Sequence, residues 1–240
     1  MNNKNQKFEI IRFTADSKRY FPSSMKRLSF MGENYVKYSE MEIPLGKSRY
    51  GGCAVDLPKG VKYPENLRFA AQLDLAEFAL FDKSGLLPKT GQLIVFADIR
   101  SDTGKVIYID VANSELERQI VEHEDNFWDG VLIDKIFTET ETLSERYVEP
   151  KDEEDEKFLN EDGKMWGWFE GSEKSKIFGI YTNCQLGGDE IEEIAFSNKV
   201  VLLQVGEGDF NDEGVFSVLI NKDDLRNRNF ENCEFVWAQS

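Results

Sequence analysis

Between Leu67 and Leu75 the chain alternates. Leu67, Phe69, Ala71, Leu73 and Leu75 fall on one side and Arg68, Gln72 and Asp74 on the other, the period of two that a strand with one buried face requires. Continuous apolar runs over residues 92–99, 106–111, 200–205 and 215–220 read as interior strands, and residues 7–13, 130–137, 177–181 and 233–237 as further strands. Helical signals are fewer and shorter. Ser114 with Glu117 three positions on forms a capping box ahead of Leu116, Ile120 and Val121, which predicts a helix running toward Phe127. Asn221 is placed to cap a single turn over residues 222–225, and residues 75–81 read as another short helix. Strands and helices do not alternate regularly, so the pattern predicts a β-rich α+β fold with few short helices, not a doubly wound parallel sheet.

Glycines punctuate this pattern twice. Gly51-Gly52, the strand carrying Gln72, and Gly91 opening the next strand are echoed by Gly187-Gly188, the strand carrying Gln204, and Gly214. The spacings differ, so one reading is a duplicated unit whose two similar strand-rich halves share one core within a single domain over residues 1–240. The other is chance likeness among strands that begin at glycine turns.

Charge narrows the function. The 29 basic residues face 45 acidic ones, for a net charge of -16, and no Lys/Arg cluster follows a phosphate backbone. Nucleic acid and anionic membrane surfaces are therefore excluded as expected partners. No apolar stretch approaches the roughly 20 residues that span a bilayer, and the polar residues 1–7 precede no secretory apolar segment, so a cytoplasmic location is expected. Cys53, Cys184 and Cys233 are far apart and form no CxxC pair, which predicts free thiols, with neither a disulfide framework nor a zinc site. His123 is the single histidine and sits in Glu122-His123-Glu124-Asp125 on an expected exposed helical face. Acidic neighbours favour its imidazolium form, against the general base a catalytic triad needs. No catalytic residue, metal or cofactor is assigned.

Four groups of residues carry candidate chemistry. Gln72 and Gln204 each interrupt an apolar strand, and a buried amide must find partners, so each either stitches the halves together or lines a polar pocket between them, with Asp74 and Asp212 nearby. Trp166 and Trp168 form either an aromatic platform for a ligand or part of a core with Phe169 and Phe178. Glu149, Asp152, Glu153, Glu154, Asp155 and Glu156, within an acidic loop over residues 149–162, form either a solvated loop or an anionic docking segment for a basic partner. Asp209, Asn211 and Glu213 imitate half of an EF-hand loop, but Ile220 stands where the bidentate carboxylate belongs, so a tight acidic turn is expected there.

Ser48-Arg49-Tyr50-Gly51-Gly52, followed by Leu57-Pro58-Lys59-Gly60 and Tyr63-Pro64, resembles the opening motif of the YwqG-like family, a bacterial domain of unknown function. The likeness continues through Phe69-Ala70-Ala71-Gln72-Leu73-Asp74-Leu75, Leu87-Pro88-Lys89-Thr90-Gly91, Gln185-Leu186-Gly187-Gly188, Leu202-Leu203-Gln204-Val205 and residues 223–230, covering about residues 44–237. The sequence departs from that pattern at Ala54-Val55-Asp56, where a proline is usual, at Tyr63, where tryptophan is usual, and in the acidic loop over residues 207–213. The resemblance implies a fold and no catalytic residue. Charge and the lack of a nucleophile or cofactor loop then favour a noncatalytic binding protein, such as an inhibitor or immunity-type partner of a basic protein. The alternative is a small-molecule enzyme or ligand sensor with a pocket between the halves, built on Gln72, Gln204, Asp74 and Asp212.

Overall fold

The computed structural model describes residues 4–29, 31–98, 100–122, 129–208 and 214–239. Its strands are β1 (Phe8–Phe21), β2 (Tyr35–Lys37), β3 (Arg49–Tyr50), β4 (Ala54–Pro58), β5 (Arg68–Asp74), β6 (Gln92–Asp98), β7 (Thr103–Ile109) and β8 (Leu116–Ile120). The second part of the chain adds β9 (Gly130–Glu141), β10 (Tyr147–Val148), β11 (Met165–Trp166), β12 (Lys176–Ile177), β13 (Lys199–Val205), β14 (Gly214–Asn221) and β15 (Glu234–Gln239). Three α-helices join them: α1 (Leu75–Phe78), α2 (Gly188–Ala195) and α3 (Lys222–Arg226).

Ten strands make one antiparallel path in the order β15-β14-β13-β12-β1-β9-β3-β5-β6-β7, with β2 parallel to the end of β1. The long pair β1 and β9 is its centre, and each of the two passes on to the arm built by the other part of the chain: β1 pairs with β12, and β9 with β3. The path curls into a nearly closed barrel. At the seam between β7 and β15 the Trp237 N–H donates to Asp102 Oδ1 at 3.1 Å, and Gly104 lies against the Phe235 ring. A Cβ at Gly104 would meet that ring at 2.3 Å and the Phe96 carbonyl oxygen at 2.6 Å. Gly104→Val is therefore expected to destabilise the protein by about 1–3 kcal/mol through overpacking, read as a lower urea midpoint; an unchanged midpoint would show that the seam opens without cost.

The alternation along each strand sends one face into a common core. Ile11, Leu73, Val95, Val131, Leu203 and Phe216 are among the side chains that fill the barrel, so its interior is packed. Gln72 and Gln204, one position out of phase with Leu73 and Leu203, face outward, where β4, β8 and residues 171–183 cover them.

This architecture corrects the α+β expectation. Strands make up 40% of the described residues against 15% helix with the 3₁₀ turns included, and the α-helices among them are only 4, 8 and 5 residues long, too short to form a layer. Leu75 and Phe78 of α1 and Leu225 of α3 instead join the barrel core. The helix expected from Ser114 is absent: a 3₁₀ turn at Asn113–Glu115 leads into β8, which pairs with β4 and sets Arg118 opposite Asp56. The buried carboxylate decides this. Arg118 reaches Asp56 at 2.7 Å only from a strand in that register, and the helical spacing of Leu116 and Ile120 gives way, leaving Ile120 42% exposed. The strand expected over residues 177–181 stops at Ile177, because Phe178 and Gly179 take φ of 66° and 82°. Among the described residues no helix is long and apolar enough to cross a membrane.

Candidate functional site

Two buried polar networks sit on opposite arms of the barrel. On β3 and β5, Arg49 faces Gln72 across the strand pair, and both are fully buried. Arg49 binds Gln72 Oε1 at 2.9 Å and Asp56 at 2.9 Å, and Arg118 closes on Asp56 from the other side. Gln72 accepts from the Asp56 N–H at 2.9 Å and donates to Gln92 Oε1 at 3.0 Å. On β12 and β13, Lys176 faces Gln204 in the same way. Lys176 donates to Glu141 and to the Ile180 carbonyl, both at 2.6 Å, while Arg146 reaches Glu141 at 3.3 Å. Gln204 donates to the Lys174 carbonyl at 2.8 Å and accepts from the Thr182 N–H at 3.2 Å. Even the adjoining serines match: the Ser48 and Ser175 hydroxyls accept from the Asp74 and Gly206 N–H groups, each at 2.9 Å.

These networks hold the covering segments on the barrel. Burial alone would raise the pKa of Asp56, but hydrogen bonds from Arg118 and the charge of Arg49 outweigh it and hold the carboxyl below its ordinary range. Glu141 is likewise held low, against burial, by Lys176 and Arg146. Burial pulls Lys176 below its ordinary range, with Glu141 opposing. Gln72 uses both its oxygen and its amide nitrogen inside its own arm, as Gln204 does in the other. Asp74 caps α1 by accepting from the Ala76 N–H at 3.0 Å and also receives Asn113. Burial pushes the Cys53 and Cys233 thiols up to about 12, which keeps them protonated and poor nucleophiles.

The aromatic and acidic groups meet elsewhere. β10 and β11 form a short hairpin whose connection is the acidic segment, with eight carboxylates and three lysines over residues 149–164. Asp152 accepts from the Glu154 and Asp155 N–H groups at 2.9 and 3.0 Å, and Asp155 accepts from the Lys151 N–H at 2.8 Å, which folds the segment back on itself. A turn at Asp155–Phe158 then carries Phe158 over the hairpin. The result is a cavity of about 500 Å³ lined by Asp155, Phe158, Met165, Trp166 and Trp168, with the Gly187-Gly188 backbone at its edge.

Its walls differ in exposure. Phe158 is 71% and Trp168 42% exposed, whereas Trp166 is half-buried, stacked edge-on against Tyr147 with ring centres 5.3 Å apart. Tyr147 already carries a cation, since Lys4 Nζ lies 4.6 Å from its ring centre. Among the described residues, the buried Trp166 Nε1 has no hydrogen-bond partner. The start of α2, which borders the cavity, is occupied by its own capping group: Glu190 accepts from the Gly187 N–H at 3.0 Å.

Trp166, Trp168 and Asp155 thus meet in one place, while Glu149, Asp152, Glu153, Glu154 and Glu156 lie along the adjoining segment. Gln72, Gln204 and Asp74 line neither this cavity nor a second one beside β1. Asp212, the half EF-hand at Asp209, Asn211 and Glu213, and His123 lie outside the described residues. Sequence reasoning missed the buried ions Arg49, Asp56, Glu141 and Lys176. A signal was present in the parallel strings Ser48-Arg49-Tyr50-Gly51-Gly52 and Ser175-Lys176-Ile177-Phe178-Gly179, each a cation beside apolar residues and a glycine turn.

No curated protein matches the chain. A family described as Domain of unknown function (DUF1963) matches residues 48–238, the greater part of both arms and of the acidic hairpin between them. This chain belongs to that family, an uncharacterised one.

Proposed function

We propose that the protein is a noncatalytic binding protein that takes a cationic side chain of a basic partner into the aromatic cavity, with the acidic segment steering the partner to it. One observation carries this reading: Asp155, from the most acidic stretch of the chain, shares a cavity with Trp166, Trp168 and Phe158. Aromatic faces attract a cation through their quadrupoles, and a carboxylate at the edge completes its neutralisation. The surrounding charge raises the rate at which a basic partner arrives. An anion at the start of α2 is the opposite reading, and it is disfavoured by the Glu190 carboxylate already there and by the acidic rim. The proposal places this chemistry in the cytoplasm, with an inhibitor or immunity-type role as its most specific form. The likeness to the YwqG-like family adds no residue role to it.

The test is a titration of the full chain with an arginine-rich peptide, followed by tryptophan emission at low and high salt. Saturable binding that weakens with salt is expected, and Trp168→Ala or Asp155→Asn should each weaken it about 2- to 30-fold, the effect of roughly 0.5–2 kcal/mol per cation–π or charge contact. Binding that both variants leave untouched would overturn the aromatic site. A peptide that fails to bind at either salt would overturn the proposal as a whole.

A further inference from the structure

A second cavity, of about 330 Å³, lies where the arms meet the start of β1. Ile11, Phe81, Leu86, Phe178, Phe196 and Val200 give it an apolar lining. Four lysines from four separate segments stand around it: Lys7 before β1, Lys83 after α1, Lys199 at the start of β13 and Lys222 at the start of α3. Two carboxylates share the lining, and both are engaged. Glu9 is paired with Lys83 at 2.8 Å, and Asp82 accepts the N–H groups of Ser84, Gly85 and Leu87 in its own turn; Lys199 in turn is paired with Glu234 at 2.7 Å, which leaves Lys7 and Lys222 as the available cations. Among the described residues neither Lys7 nor Lys222 has a carboxylate partner. A chain with a net charge of -16 has here a cavity with more cations than anions.

The wall of this cavity holds a strained residue. Phe178 has φ of 66°, in the left-handed region, and its ring lies between the barrel core and the cavity. On the opposite arm the corresponding position is Gly51, with φ of 63°; the Gly51 and Phe178 N–H groups donate to the Ala70 and Val201 carbonyls, each at 2.7 Å. Glycine takes this conformation without cost and phenylalanine does not. A ring is therefore retained at the cavity wall where glycine would relax the backbone, and strain of this kind gathers at ligand sites.

We infer that this cavity binds a small amphipathic carboxylate, an aryl or medium-chain alkyl acid, with the apolar body against Phe178 and Val200 and the carboxylate between Lys7 and Lys222. The volume suits a body of roughly ten non-hydrogen atoms, taking about 30 Å³ for each. Nucleoside polyphosphates fit poorly, because the cavity is too small for a base, a ribose and a phosphate chain together and much of its lining is apolar. This site is separate from the aromatic cavity, and its ligand carries the opposite charge.

The test titrates the full chain with octanoate and with octanol, by calorimetry. Octanoate is expected to bind saturably and octanol about tenfold more weakly or worse, the difference a charge-assisted contact makes. Lys7→Gln/Lys222→Gln should weaken octanoate about tenfold or more while moving the urea midpoint little, because neither ammonium is ion-paired in the fold and Lys222 loses one long bond, to the Ser197 carbonyl at 3.3 Å; Trp168→Ala should leave octanoate binding unchanged. Equal affinity for octanoate and octanol, or an unaffected double variant, would overturn the role of the lysines. No octanoate binding to the wild-type chain would overturn the site.

Discussion

Glu141→Gln is expected to destabilise the protein by about 3–5 kcal/mol, the range for removing one partner of a buried ion pair. The carboxylate is 1% exposed and faces three cations: Lys176 at 2.6 Å, Arg146 at 3.3 Å and Lys174 at 3.8 Å. It also accepts from the Ile180 N–H. A neutral amide of the same size keeps the packing but removes the counter-charge of Lys176, which has no exposed surface and, already drawn below its ordinary pKa by burial, must then give up its proton or stand unpaired. Urea unfolding reads the loss directly. Adding Lys176→Met should restore most of it, since the double variant removes both charges and retains an unbranched apolar stem. A single-variant loss below about 1 kcal/mol would mean that water already reaches this network.

Such a pair could not be read from the sequence, and the reason is geometric. Strands with strong period-two patterns, such as β5, or with long apolar runs, such as β6, β13 and β14, were legible because burial of one face or both writes itself into neighbouring residues. Gln72 and Gln204 stood out for the same reason, as polar residues within those runs. Their partners did not. Asp56 lies in the five-residue strand β4, whose pairing with β8 brings in Arg118 from 62 positions away. Glu141 and Lys176 are 35 positions apart and meet only because β1 joins β9 to β12. Short helical spacing around Leu116 was a weaker constraint than that ion pair, and the α+β expectation failed with it.

The candidate site divides in the same manner. Trp166 with Trp168, and the acidic run ending at Glu156, each drew attention as a local feature, and each had a bland reading as core or solvated loop. Nothing in one dimension says that Asp155 and Phe158 return over the tryptophans; that follows from the asparagine and aspartate turns within the hairpin connection, with Asn160 accepting from the Lys164 N–H at 3.0 Å just before β11. The lysine-rimmed cavity was harder still, because its four cations are spread from Lys7 to Lys222 and only the meeting of the two arms gathers them.

Asp56→Asn should cost about 3–5 kcal/mol near neutral pH for the same reason as Glu141→Gln, and its pH dependence separates charge from shape. Asp56 has no exposed side-chain surface and receives Arg118 through two bonds, Arg49 through one and the Gly46 N–H at 2.8 Å. Its folded pKa lies below the 3.8 of the unfolded chain. In the interval between the two values the unfolded state binds more protons, so stability rises with pH there. The contribution is fully present above about 3.8 and is lost as pH falls through the folded value. A protonated Asp56 and an asparagine leave the two guanidinium groups in the same uncompensated state. The gap between wild type and Asp56→Asn, measured by urea unfolding over a series of pH values, should therefore be constant above pH 3.8 and close below it. Glu141, whose folded pKa also lies below its ordinary 4.5, weakens both proteins alike in acid and cancels from that difference. A gap that stays the same from neutral to acid pH would show that Asp56 acts through shape and hydrogen bonding alone, and that Arg49 and Arg118 do not need its charge.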